Sequence, residues 1–195
     1  MRLFLYSLLL ALLLPLQVSA KDLPEALLKQ LPEKLGDCQR GELRDYGDPR
    51  LGWSVAYNDH HGTVITVYAY DQGLAKIADG IGDRIITESF AAARRDIHIA
   101  MTKGMYSDVQ PFDDGKATIE GMDILFARYH LTFAKGEAAG QKAVSALYIF
   151  GARDEIIKIR ATAPADDEAR VSKVLAEFLP ALVKAIQKPR SAPQL

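Results

Sequence analysis

The chain predicts an α+β fold: a single antiparallel sheet built from hairpins, with helices packed on both faces as an α/β/α sandwich. Three observations carry this. Segments of two-residue periodicity come in pairs joined by short polar turns, the pattern of antiparallel hairpins. Two long stretches between and after them repeat their apolar residues every three or four positions, the period of an amphipathic helix. Finally, the segment over 63–70 (TVITVYAY) is apolar on both faces, as expected of a strand covered on both sides.

The chain of 195 residues opens on an export signal. Arg2 precedes an almost unbroken apolar run over 3–14, then come Pro15 and the small-residue triplet Val18-Ser19-Ala20. This order predicts cleavage after Ala20. The run is shorter than the roughly 20 apolar residues of a spanning helix. Lys21 at the cut excludes a lipid-anchored cysteine, and no second run reaches spanning length. The expectation is a soluble periplasmic or secreted product: one α+β domain over 21–187 and a disordered tail over 188–195.

Within that domain, Leu27, Leu28, Leu31 and Leu35 predict a helix over 23–35, ended by Gly36. An irregular strand follows over 38–46. Residues 51–57 (LGWSVAY) and 63–70 form a hairpin about the polar turn Asn58-Asp59-His60-His61-Gly62. A glycine-punctuated loop over 71–82 leads to Asp83, an N-cap residue for a helix reaching Thr102 with Ile86, Phe90, Ala93, Ile97 and Met101 on one face. Gly104 stops it. Residues 106–112 read as a short edge strand because Pro111 cannot donate to a ladder. A long strand over 122–134 turns Leu125, Ala127, Tyr129, Leu131 and Phe133 to one side. Residues 143–151 and 155–163 make a second tight hairpin, and a helix over 166–186 closes the domain with Val171, Val174, Leu175, Phe178, Leu182 and Ile186 as its stripe.

Composition narrows the function classes. Twenty-four Lys and Arg stand against 25 Asp and Glu, a net charge of −1, without the concentrated basic surface that nucleic-acid binding needs. The single cysteine, Cys38, excludes an internal disulfide and reads as a small buried hydrophobe, since no CxxC or neighbouring histidine would activate it.

Three motifs invite chemistry and fall short of it. His60-His61 with Asp59 offers metal-type donors, but zinc takes three or four converging ligands, and His98 and His130 are not at ligand spacing from the pair. Gly80-Ile81-Gly82 precedes a helix, yet Ile85 stands where a dinucleotide fingerprint needs its third glycine. Gly52-Trp53-Ser54 approaches a GxSxG elbow, but inside a strand rather than at a strand-to-helix turn. With no HExxH and no paired carboxylates, the sequence assigns no catalytic residue, no metal and no cofactor.

One constellation stands out. Arg128, His130 and Thr132 share a strand face, and so do Lys158, Arg160 and Thr162. If those faces align, the sheet carries a basic strip suited to an anionic ligand or an acidic partner. The alternative is a solvated sheet edge, or cationic stems packed under a helix with their heads in water.

The sequence GWSVAY/TVYAYD, a central helix, and the run LYIFGARDEIIKIRATAP leading into a last helix resemble the PsbP/Mog1/DcrB-like superfamily. The resemblance spans nearly the whole exported chain in element order and is most specific over 146–163. It implies an α/β/α sandwich and a non-enzymatic accessory or binding role, since most members are such proteins and several are exported. It carries over no catalytic residue. This chain departs from it in a longer helical lead-in and in having no lipid anchor. The leading functional expectation is an accessory or binding module of the cell envelope with a protein or small-ligand partner. A carrier of a small anionic or lipid-like ligand held between sheet and helix is the alternative, followed by a hydrolase with a dispersed site.

Overall fold

The structure, a computed structural model, describes residues 24–188. The export signal expected over 1–20 and residues 189–195 of the tail lie outside the described residues. Eight strands form one sheet: β1 (Lys34–Leu35), β2 (Cys38–Asp45), β3 (Trp53–Asn58), β4 (Val64–Tyr70), β5 (Tyr106–Ile119), β6 (Met122–Phe133), β7 (Lys142–Ala152) and β8 (Glu155–Pro164). Their spatial order is β1-β2-β3-β4-β8-β7-β6-β5, and every neighbouring pair is antiparallel. Two meanders thus meet where β8 pairs with β4. Helices α1 (Pro24–Lys29) and α3 (Glu168–Gln187) cover one face, and α2 (Arg84–Thr102) covers part of the other. The expected α+β sandwich is the observed architecture.

Alternation along β8 shows why. Ile157, Ile159, Ala161 and Ala163 join the core beneath α1 and α3, with Val55, Tyr57, Ile65, Val67, Phe150, Phe178 and Leu182. Ile156, on the opposite face, joins Tyr70, Ile86, Leu147 and Ile149 beneath α2. Tyr57 is fully buried, and its hydroxyl donates to the Pro32 carbonyl at 2.7 Å, so the large core carries a satisfied polar atom.

The β7–β8 hairpin turns through Arg153 and Asp154, both left-handed with φ of 57° and 64°, a conformation that usually recruits Asn or Gly. Here the 71–82 loop holds the turn: the Arg153 N–H donates to Asp79 at 3.0 Å, and Asp154 accepts from the Ile77 N–H at 3.3 Å. Gly80 and Gly151 exchange backbone hydrogen bonds of 2.8 and 2.7 Å, and a Cβ on Gly151 would sit 2.1 Å from the Ala78 carbonyl oxygen. The loop is therefore a packed brace.

Three segments differ from the sequence expectation. The first helix ends at Lys29 instead of continuing to Leu35, because Pro32 supplies no N–H to prolong it. The freed carbonyls of Leu28 and Leu31 are met by Arg40, at 3.1 and 3.2 Å, and Leu35 lies in β1. β5 extends to Ile119, well past the expected Phe112. It is an edge strand, and register shifts beside Asp108 and Asp113 absorb Pro111. In α2 the buried residues are Ile86, Ser89, Ala93 and Ile97; of the expected stripe, Phe90 is half-buried and Met101, in the last turn, is 36% exposed.

Candidate ligand groove

α3 runs over β7, and between it and the β5–β6 hairpin lies a groove of about 530 Å³. Phe126, Tyr148, Val171, Leu175 and Leu179 form its apolar walls, and Phe112, 40% exposed, stands at its lip. The groove exists because β5 and β6 reach beyond the part of the sheet that α3 covers. Side-chain contacts close both ends. His130 Nε2 lies 3.4 Å from Glu168 at one, and Lys184 bridges Glu120 at 3.2 Å at the other, where Gln187 also donates to the Glu120 carbonyl at 3.3 Å.

Arg128 is the cation on the groove wall. Its Nη1 lies 3.3 Å from Asp113, its guanidinium sits 5.4 Å from the Phe126 ring centroid, and its Nε is buried without an acceptor. Burial pushes the Tyr148 phenol upward, with the Arg128 charge pulling against it. His130 stacks on Phe112 with ring centroids 4.2 Å apart. Of the two residues singled out by alternation, Arg128 lines the groove, while His130 lies outside its lining and touches it through Phe112 and Glu168. An apolar body with an acceptor that reaches Arg128 matches this arrangement.

Lys158 and Arg160 do not join them. In the ladder, Arg128 faces Ala146 while Arg160 faces Leu147, two successive residues of β7 that point to opposite sides. The expected continuous basic strip is thus divided between the two faces: Arg128, His130 and Thr132 on the α3 face, Lys158, Arg160 and Thr162 on the α2 face. The β6–β7–β8 register, invisible to either strand alone, decides this.

The remaining motifs take structural roles. Asp59 accepts from the backbone N–H groups of His61 and Thr63 at 2.9 and 2.8 Å and pairs with Arg170, which also pairs with Asp167. Burial disfavours the Asp59 carboxylate, but bonds from Thr63, His61 and Arg170 outweigh it and bring its pKa down to about 2. Asp59 is thereby committed to fastening α3 to the β3–β4 turn, while His60 and His61 stay exposed. Cys38 is fully buried, and its thiol is pushed up to about 11 by burial and by Asp59 and Asp37. Ser54 lies in β3 with its Oγ 3.2 Å from the Tyr46 hydroxyl. Asp83, after Gly82, caps α2 by accepting from the Ile85 N–H at 3.2 Å.

What the sequence reading missed was the groove's other wall. Ala117, Thr118 and Ile119 belong to the part of β5 beyond Pro111, and Ser172 and Ala176 are unremarkable small residues on α3. The alternation of 116–119 was the available signal.

No protein-family model matches the chain, and no curated protein does. Among solved structures it is similar to cyanobacterial PsbP (CyanoP) from Synechocystis sp. PCC 6803, with 11% identity, a TM-score of 0.48, and coverage of 76% of this chain and 92% of that one. It is also similar to PA94 of Pseudomonas aeruginosa, a protein of unknown function, with 13% identity, a TM-score of 0.37, and coverage of 84% and 90%.

Proposed function

We propose that this protein is an exported binding module of the cell envelope that works by holding an amphipathic ligand, and not by catalysis, in the groove between α3 and the β5–β6 hairpin. The observation that carries the reading is a 530 Å³ apolar groove with the half-exposed Arg128 on its wall and one guanidinium N–H unpaired. That volume lies in the range of small-molecule sites, roughly 300–1,000 Å³. The ligand's apolar part would lie along Phe126, Leu175 and Leu179, and its anionic end would meet Arg128.

Titration calorimetry with dodecanoate as the probe tests this. The expected result is saturable binding, abolished in Ser172→Trp, which fills the groove from an exposed position, and weakened about tenfold in Arg128→Gln. Lys158→Met, on the other face, should leave it unchanged. Binding that survives Ser172→Trp would place the ligand elsewhere and sink the proposal. Export is tested by N-terminal sequencing of protein recovered outside the cytoplasm, which should begin at Lys21.

A further inference from the structure

α2 covers only part of its face of the sheet, mainly over β5, β6 and β7, and two cations of β8 on that face make no salt bridge. Lys158 and Arg160 are alternate residues of β8, about 7 Å apart along the strand. Among the described residues neither has a carboxylate within ion-pair distance. Lys158 Nζ lies 4.3 Å from the Tyr68 ring centroid and 5.5 Å from that of Tyr70. Arg160 Nη2 donates to Ser145 Oγ at 3.1 Å, while its Nε is buried without an acceptor. Ser145 is fully buried, and its Oγ lies 3.5 Å from Thr162 Oγ1. Burial pulls the Lys158 pKa down, Arg160 adds to the effect, and Asp96 on α2 opposes it only in part.

Two desolvated cations side by side cost free energy unless an anion neutralises them. A salt bridge inside the protein would be the usual solution, and four other partly buried arginines have one: Arg40 with Glu33, Arg94 with Asp114, Arg128 with Asp113, Arg170 with Asp59. We propose that Lys158 and Arg160, with the hydroxyls around them, form a binding site for a phosphate-bearing ligand. A carboxylate would neutralise one of the two charges. A phosphate monoester carries close to two near neutral pH, with three acceptor oxygens for a guanidinium fork, an ammonium and a hydroxyl. The site lies on the opposite face from the groove and stands or falls independently of it.

Free phosphate and a lipid headgroup offer the same chemistry, so the test has two arms, both on the full chain at fixed ionic strength. Inorganic phosphate is titrated while thermal stability and the backbone resonances of 144–146 and 158–162 are followed; separately, sedimentation is measured with vesicles of phosphatidylcholine containing phosphatidic acid. The expected result is saturable stabilisation or vesicle binding that weakens about tenfold or more in Lys158→Met and in Arg160→Gln and is retained in Lys158→Arg. A phosphate response identifies a free or soluble phosphate ligand, and a response to vesicles alone identifies a headgroup. No response in either arm overturns the proposal. So does an equal response in Lys158→Met, or a loss in Lys158→Arg as large as that in Lys158→Met.

Discussion

The two faces of this sheet are built on different principles. Beneath α1 and α3 a continuous apolar core runs from Leu35 and Cys38 at one side to Ile124 at the other, and two of its aromatic members, Tyr57 and Phe178, meet edge to face at 5.3 Å. Beneath α2 the buried residues fall into two smaller clusters, one around Ile86 and Ile149 and one around Ile97 and Tyr129. Lys158, Arg160 and Ser145 share that face. Away from the groove the first face is a continuous dry core that supports the fold, whereas the second is broken between two small clusters and carries Lys158 and Arg160 without a salt bridge.

The sharpest way to break this comparison is a pair of truncations. Phe178→Ala, from a fully buried site under α3, should cost about 3–5 kcal/mol, whereas Phe90→Ala on α2, half-buried, should cost about 1–2 kcal/mol in denaturant unfolding. Equal losses would mean that the two faces contribute alike. Next in size is Gly151→Ala. The added methyl meets the Ala78 carbonyl oxygen, so the loop brace must shift, and a loss of about 1–3 kcal/mol is expected by the same assay. Asp83→Ala removes the α2 N-cap and should lower stability by about 1 kcal/mol without altering dodecanoate binding on the far face.

The last effect is one of pH, and it belongs to the α3 face. The Asp59 pKa is about 2 in the folded chain against an ordinary 3.8. Its stabilising contribution is therefore complete above the ordinary value and drains away as pH falls from about 4 toward 2. Arg170→Met should raise the Asp59 pKa and move this acid-dependent loss to higher pH, as followed by circular dichroism across an acid titration. In Asp59→Asn that part of the pH dependence should vanish.

Much of the architecture was legible in the sequence because its signals are local. The hairpin over 51–70 declares itself by β-branched and aromatic residues flanking a polar turn, and α2 by its Asp83 cap, its stripe and Gly104. The short first helix was overread because the leucine spacing continues past Pro32 while the missing N–H does not show in a hydrophobic pattern. The far half of β5 was missed because its sequence, DDGKATI, is polar and contains glycine. It is a strand because β6 offers it a complete ladder. That missed segment supplies a wall of the groove, so the site was harder to see than the fold.

Residues two apart on a strand share a face, so alternation already joins Arg128 to His130 and Lys158 to Arg160. That the two pairs lie back to back follows from the folded sheet alone. Their relation runs through β7, where Ala146 and Leu147 are consecutive residues, and a shift of one position in either pairing would have placed all four side chains together. Side-chain direction within a strand is a property of the local backbone, whereas direction between strands depends on register, which the packed core fixes.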